Sequence, residues 1–304
     1  MDWGLHLPHL GRQATRENLI AFATTADRLG VHSLWSSDHV AWPREVESKY
    51  PYTEDGSFPG GYDMPWLDPL GVLFMVAGCT EHARLGTTVL ILGYRPPLLT
   101  AKAWASLDVM SGGRAIVGVG VGWMKEEFDA LQMPYDHRGE RADEQLEIYR
   151  TVWSQQDPSF SGRFYEFPPI GFSPRPLQDP LPIWVGGDSE PAFRRTVRYG
   201  DAFHAAFQKR ETVEKAWARV RELAAEAGRN PDDITLSIRL YLDPDGTQAP
   251  EKSIAGSAQQ MADTVGAWSS IGVTHILLDP VARGGPARRL EVIEEFLTGV
   301  GAQA

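Results

Sequence analysis

Short apolar runs alternate with longer helix-period segments along nearly the whole chain, and this alternation constrains the fold more than any other feature. Strand-like runs fall at Trp3–Pro8, Ser33–Ser37, Leu85–Leu92, Ala115–Val119, Pro182–Val185, Asp201–Ala205, Ile234–Leu240 and Val273–Leu278. Helical patterns follow them at Arg16–Leu29, Asp68–Thr80, Pro97–Met110, Arg141–Trp153, Glu190–Tyr199, Thr212–Ala227, Ala258–Ile271 and Ala287–Val300. Eight strands with intervening helices are the count of a closed barrel, which needs about 250 residues and leaves roughly 50 of the 304 for insertions. An open doubly wound sheet is the alternative; eight units in one domain's length favour an α/β fold of the (β/α)8 TIM barrel type, one domain over 1–304. Glycine stops support the parse: Gly228 before Asn230-Pro231, Gly112-Gly113 before Ala115, and Gly272 before Val273.

Three connections are too long for simple turns. Val40–Leu67 carries Pro43, Pro51, Pro59 and Pro65 among Trp42, Tyr50, Tyr52, Phe58, Tyr62 and Trp66. Gly120–Glu140 contains Trp123, Phe128, Tyr135 and His137, and Gln155–Leu181 is proline-rich. The first two follow strands, so in a barrel they are long insertions at the C-terminal, functional face. They read as lids or binding walls, or alternatively as surface decoration or a dimer contact. The third follows a helix, and its placement is open.

Charge and cysteine usage narrow the function classes. Lys plus Arg is 29 against 40 for Asp plus Glu, a formal charge of −11 without the basic stripe that nucleic acid needs. An anionic small molecule remains compatible, because a few backbone amides and one or two Arg suffice for a phosphate. Cys79 is the single cysteine, so neither an intrachain disulfide nor a Cys-rich metal site is expected; it reads as a small buried hydrophobe. The chain enters a strand-like run at once, without a signal-peptide pattern, and no run approaches the ~20 apolar residues of a membrane span. The expectation is a cytoplasmic protein with a small-molecule substrate and no membrane or nucleic-acid partner.

Three motifs carry candidate chemistry. Ser37-Asp38-His39 closes the second strand, where a histidine at the mouth suits proton transfer near neutrality; Asp38 either orients the ring or caps the loop. Gly118-Val-Gly-Val-Gly-Trp123 fails the dinucleotide pattern, since Trp123 stands where the last glycine belongs. It reads as backbone passing close to a flat ligand at Gly122 and Trp123, or as close packing at a barrel corner. Ile183-Trp-Val-Gly-Gly-Asp-Ser189 is a strand, a turn at Gly186-Gly187 and a helix start, offering amides and the Ser189 hydroxyl to a phosphate; Asp188 or Ser189 would equally cap the helix. Arg194 and Arg195 could add charge there. Of the adjacent acids, Glu127 reads as a helix-dipole partner and Glu126 stays open; His137, Arg138 and Arg141 read as a solvated face or lid. H-E-x-x-H, the P-loop and G-x-S-x-G are missing from the sequence, which removes the usual signatures of zinc proteolysis, ATP hydrolysis and α/β-hydrolase chemistry.

In order and spacing these motifs resemble the luciferase-like flavin and deazaflavin oxidoreductases, most closely the branch dependent on coenzyme F420. The resemblance runs from Gly4 to about Asp201. Its carriers are Gly4-Leu-His-Leu-Pro8, Ser37-Asp-His-Val40, Tyr50-Pro-Tyr52, Pro65–Pro69, Leu85–Leu90, Tyr94-Arg95 with Pro97, Leu107–Arg114, Gly118–Glu127, Arg138–Trp153 and Pro182–Ser189. It implies a TIM barrel with a non-proline cis peptide at Thr88–Val89, in a strand bulge that supports a bent tricyclic ring. It further implies His39 as the active-site proton donor or acceptor, Asp38 as a cofactor-side residue, and Gly186, Gly187 and Ser189 as the phosphate turn. Trp42, Tyr50, Trp66 and Trp123 would wall the substrate. In the deazaflavin sugar dehydrogenases an acid stands at the place of Trp123, which points away from sugar phosphates. Flavin luciferases have Arg at the place of Val121, which points away from FMN. The expectation is hydride transfer between F420 and a small, apolar organic substrate, in a homodimer. The alternative is a reduced-FMN monooxygenase. A non-catalytic flavin-binding protein would leave the aromatic loops without a purpose, and a barrel isomerase would need the glycine turn to hold a substrate phosphate.

Overall fold

In a computed structural model describing residues 1–53, 55–58, 60–282 and 285–301, eight parallel strands close into a barrel. Pro59 of the first long connection lies outside the described residues. The strands are β1 (Asp2–His6), β2 (Ser33–Ser36), β3 (Arg84–Thr87), β4 (Ala115–Gly120), β5 (Ile183–Gly186), β6 (Ala202–Ala206), β7 (Thr235–Leu242) and β8 (Val273–Pro280). Closure is made by β8 pairing with β1, where Asp2 lies opposite His275 and Leu5 opposite Leu278. The helices are α1 (Arg16–Arg28), α2 (Pro69–Ala77), α3 (Pro97–Ser111), α4 (Lys125–Ala130), α5 (Arg138–Ser154), α6 (Glu190–Tyr199), α7 (Arg210–Glu226), α8 (Ala258–Ser269) and α9 (Pro286–Thr298). The eight-unit alternation therefore yields the expected (β/α)8 TIM barrel.

Because helices cover the sheet's outer face and side chains fill the barrel, both faces of each strand are buried and the runs read as continuously apolar. Leu34, Val117, Val185 and Leu278 join the layer between sheet and helices. Their neighbours Trp35, Ile116, Trp184 and Leu277 point the other way and form a separate cluster inside the barrel. Local signals fix the helix starts: the Asp68 carboxylate accepts from the Gly71 amide at 2.9 Å with Pro69 in the first turn, and Ser257 with Gln260 makes a reciprocal capping box on α8.

The structure completes or corrects the sequence reading at several points. The run Leu85–Leu92 is interrupted: β3 ends at Thr87, the Thr88–Val89 peptide is cis as the resemblance implies, and pairing with β4 resumes only at Leu90–Ile91. Helix α5 begins at Arg138, three residues earlier than its apolar periodicity, because His137 takes a left-handed conformation that turns the chain into the helix. The connection 155–181 runs to the face opposite the mouth, where the Leu177 and Gln178 amides and the Gln178 side chain bond Asp108, while Arg84 donates to Gln178. Cys79 lies just past α2 and is only half-buried, its thiol donating to the Val76 carbonyl.

Candidate active site

At the C-terminal ends of the strands two adjoining cavities share Tyr50, Tyr52, Thr88, Val89, Ile91, Trp123, Phe207 and Arg239. The outer cleft, about 630 Å³, runs from Val89 across Gly120–Trp123 to Gly186, Gly187 and Ser189. The inner chamber, about 230 Å³, is lined by His39, Phe58, Met64, Trp66 and Tyr241.

The cleft owes its shape to missing side chains. A Cβ on Gly118 would lie 1.7 Å from the Thr87 carbonyl oxygen, so β4 can only pass the β3 interruption as glycine. Additions at Gly120 and Gly186 would strike Val89, at 2.4 and 2.7 Å. These glycines leave Val89 standing as a shelf between the two cavities. Gly122 and Gly187 have φ of 77° and 118°, the left-handed region that L side chains rarely adopt. At the start of α6 the Ser189 hydroxyl makes no capping bond, and Ser189, Pro191 and Ala192 line the same cleft end. Asp188 accepts from Gln208 instead.

His39 occupies the chamber wall with its imidazole held from behind. Its Nδ1 lies 2.6 Å from Glu127 Oε2, which also accepts from the Tyr94 hydroxyl at 2.7 Å. Glu127 Oε1 accepts from the Val40 and Ala41 amides, at 2.6 and 3.1 Å. Burial opposes ionisation of this carboxyl, but the bonds from His39, Tyr94 and the Val40 amide outweigh it and hold Glu127 below its ordinary value. An ionised carboxylate only accepts, so Nδ1 carries a proton, while Nε2 makes no protein hydrogen bond among the described residues. The result is a histidine–carboxylate dyad of the kind that serves as a general base or acid.

Asp38 turns away from that ring. It receives Arg95 in a two-pronged ion pair at 2.6 and 2.9 Å and the Ile91 amide at 3.0 Å, tying β2 to the chain just beyond the shelf. Burial pushes its carboxyl up despite the guanidinium. Trp66 meets the His39 ring edge-on at 4.7 Å and donates its indole N–H to the Ser37 carbonyl. Tyr50 and Trp123 contact each other at 5.3 Å and line both cavities. Trp42 stands one layer back: it packs on His39 and Phe58 and lines a neighbouring recess instead of the chamber.

The sequence does not single out several of the site residues. Glu127 reads there as a dipole partner, yet it is completely buried, whereas Glu126 tethers the insertion through the Glu47 and Ser48 amides. One signal is present: Glu127 and Phe128 fall on the inward face of a short helix whose other side is polar. Arg138, expected on a solvated face or lid, lines the cleft, donates to the Gly122 carbonyl and makes no ion pair among the described residues. Arg195 is buried against Asp143 and the Gly139 carbonyl, while Arg194 pairs with Glu190 outside. Arg239, paired with Asp279 and lying over Phe207, forms the chamber floor.

A family model described as luciferase-like monooxygenase matches residues 4–265. The chain belongs to that family. Among luciferase-like relatives, an uncharacterised protein of Mycobacterium tuberculosis is 35% identical over 210 residues, covering 69% of this chain and 72% of that one. The F420-dependent glucose-6-phosphate dehydrogenase of Amycolatopsis mediterranei is 29% identical over 245 residues, covering 78% and 68%. An FMNH2-dependent dimethylsulfone monooxygenase of Pseudomonas putida is 31% identical over 194 residues, covering 60% and 53%. Two solved structures share the fold: monooxygenase RslO1 from Streptomyces bottropensis (TM-score 0.81, 23% identity, 100% and 99% coverage) and an F420-dependent secondary alcohol dehydrogenase (TM-score 0.80, 17% identity, 98% of each chain). This luciferase-like barrel thus has both F420-dependent and FMNH2-dependent proteins among its relatives.

Proposed function

We propose that the protein is an oxidoreductase that works with coenzyme F420 on a small substrate of apolar body bearing one hydroxyl or carbonyl group. The observation that carries this reading is the His39–Glu127 dyad, set in the wall of an aromatic chamber beside a glycine-lined cleft. The residues present fit a flat ring with an anionic tail. Val89 and the side-chain-free backbone of Gly120 and Gly186 would take the ring, and Gly187, Ser189 and Arg138 would take the tail. When bound, the deazaflavin supplies two-electron hydride chemistry.

The chain's own residues do the rest. Tyr50, Trp66 and Trp123 surround the substrate's apolar body and exclude water, and the chamber's 230 Å³ limits its size. Glu127 fixes the imidazole so that Nε2 takes a hydroxyl proton in the direction of oxidation and returns it in the direction of reduction. Asp38 and Arg95 hold the shelf segment in register from behind.

Mixing the protein with oxidised F420 and a panel of small secondary alcohols, and following loss of the coenzyme's visible absorbance, tests the proposal. Bleaching that disappears in His39→Ala is expected. A second reading, a reduced-FMN monooxygenase, is favoured by the dimethylsulfone monooxygenase relative. Oxygen consumption with reduced FMN, together with no bleaching of oxidised F420 by alcohols and no return of its absorbance when reduced F420 meets ketones, would establish that reading and overturn the first.

A further inference from the structure

The interior of a (β/α)8 barrel is ordinarily packed with branched aliphatic side chains. In this one a continuous file of polar side chains runs through the core. Thr88 Oγ1, at the shelf, lies 2.9 Å from His204 Nε2 on β6. His204 Nδ1 reaches Ser237 Oγ on β7 at 2.8 Å, and the same hydroxyl reaches His275 Nδ1 on β8 at 2.8 Å. His275 Nε2 meets Ser33 Oγ at 2.9 Å, and Ser33 Oγ meets His32 Nδ1 at 3.1 Å. His32 is partly exposed at the opposite rim, its Nε2 3.8 Å from the exposed Asp2 carboxylate.

We propose that this file is a proton relay joining the mouth of the barrel at Thr88 to solvent beside Asp2. Both nitrogens of His204 and His275 are hydrogen-bonded, and the Ser237 and Ser33 hydroxyls each sit between two imidazoles. Only two hydrogen-bond orders satisfy every link while each serine hydroxyl donates to one of its imidazoles and accepts from the other. In the first, Thr88 donates to His204 Nε2, His204 Nδ1–H to Ser237, Ser237 to His275 Nδ1, His275 Nε2–H to Ser33, and Ser33 to His32 Nδ1. In the second, every bond is reversed. A proton given to Thr88 Oγ1 converts the first order into the second: each oxygen and each ring gains one proton and loses one, and the proton on His32 Nε2 leaves to water. A proton entering at His32 Nε2 runs the sequence backwards and restores the first order, with Thr88 Oγ1 releasing one proton to water when the mouth is open. The interior carries no net charge before or after a passage.

Two further features match this use. Burial holds His204 down to about 3 and lowers His275 well below its ordinary value, so both rings stay neutral and passage goes by exchange of tautomers. Space is reserved for the central ring: a Cβ at Gly4 would lie 2.9 Å from His275 Nε2 and 2.8 Å from the Trp35 indole nitrogen, which donates to Ser33. Trp35 stacks on His204, at 10° between planes, and Trp184 meets His275 edge-on, so neither ring can flip without displacing a tryptophan. The relay's purpose rests on the oxidoreductase reading: His39 and Thr88 line the same chamber, and with that chamber filled the proton taken up by His39 has Thr88 as its exit away from the mouth.

Imidazole nitrogen NMR of the uniformly labelled full chain, without coenzyme, tests the relay by itself. The expected spectrum places the protons on His204 Nδ1, His275 Nε2 and His32 Nε2, or on the three opposite nitrogens, or on an exchange average with the same ratio at all three rings. Protons on Nδ1 of both His204 and His275 would make Ser237 a double acceptor and overturn the relay, as would an imidazolium at either ring at neutral pH. In F420 turnover with an alcohol, Ser237→Ala is expected to lower kcat about tenfold with KM unchanged and to alter the solvent isotope effect, with Ser237→Thr restoring both. An unaltered kcat and isotope effect in Ser237→Ala would overturn the relay; absence of wild-type turnover with relay-type tautomers would instead sink the oxidoreductase reading and leave the relay standing.

Discussion

Replacing Glu127 with glutamine changes one atom and should silence the dyad. The Val40 and Ala41 amides are fixed donors to Oε1, so the glutamine carbonyl has to remain there. Its NH2 group then takes the place of Oε2 and points at Tyr94 and at His39 Nδ1. Two donors cannot face each other, so His39 has to present Nδ1 as an acceptor and move its proton to Nε2. The ring stays in place but has lost the lone pair that faced the chamber. In the serine-protease triad, where the same acid-to-amide change leaves the geometry intact, the wrong tautomer costs about 10⁴ in kcat; with one hydroxyl proton to move, a loss of roughly 10²–10⁴ is expected here. KM should change little, because no chamber-lining atom moves. Steady-state bleaching of F420 gives the rate, and imidazole nitrogen NMR reports whether the His39 proton has moved from Nδ1 to Nε2. A variant that keeps its Nδ1 proton, or that turns over at the parent rate, would refute the reasoning.

Three other outcomes follow from the geometry. Arg138→Ala removes a guanidinium without a carboxylate partner at the cleft and should weaken coenzyme binding about tenfold while flattening its salt dependence, as read by fluorescence titration at two ionic strengths. Gly120→Ala sets a methyl 2.4 Å from Val89 Cγ2, so the shelf has to shift; coenzyme affinity should fall far more than the unfolding midpoint. Acid should destabilise the fold before the carboxylates titrate. The unfolded chain protonates histidine below its ordinary value of 6.5, whereas folded His204 and His9 resist until about 3 and about 4. The stability they contribute is complete above 6.5 and falls as pH drops towards those lower values, by about 2 kcal/mol for each at pH 5. Urea unfolding at pH 7.5 and pH 5 checks this, and equal midpoints would contradict it.

The architecture is legible because barrel strands are buried on both faces and announce themselves as short apolar runs. The same double burial hides the polar file: His204, Ser237 and His275 sit inside apolar runs, and nothing in the sequence says which alternate positions face inward. His39 and the Gly186-Gly187 turn stand out because each closes a strand. Glu127 does not, because a six-residue helix shows too few turns for its buried face to be distinguished from Glu126 beside it. Trp42 groups with the chamber aromatics by proximity in sequence, but the insertion folds over itself and sets it behind His39. The interruption at Thr88–Val89 is accessible through the family resemblance and not through the strand-like run Leu85–Leu92, whose β-branched Thr87, Thr88 and Val89 suit a continuous strand.

The central claim is that the glycine-lined cleft beside the His39–Glu127 dyad receives a deazaflavin. Equilibrium titration of the full chain with oxidised F420, with FMN in a parallel cell, measures it directly. The account predicts saturable one-site binding of F420, weakened by Gly120→Ala and retained in Glu127→Gln. Binding of FMN alone, or F420 binding that neither Gly120→Ala nor Arg138→Ala disturbs, would contradict it.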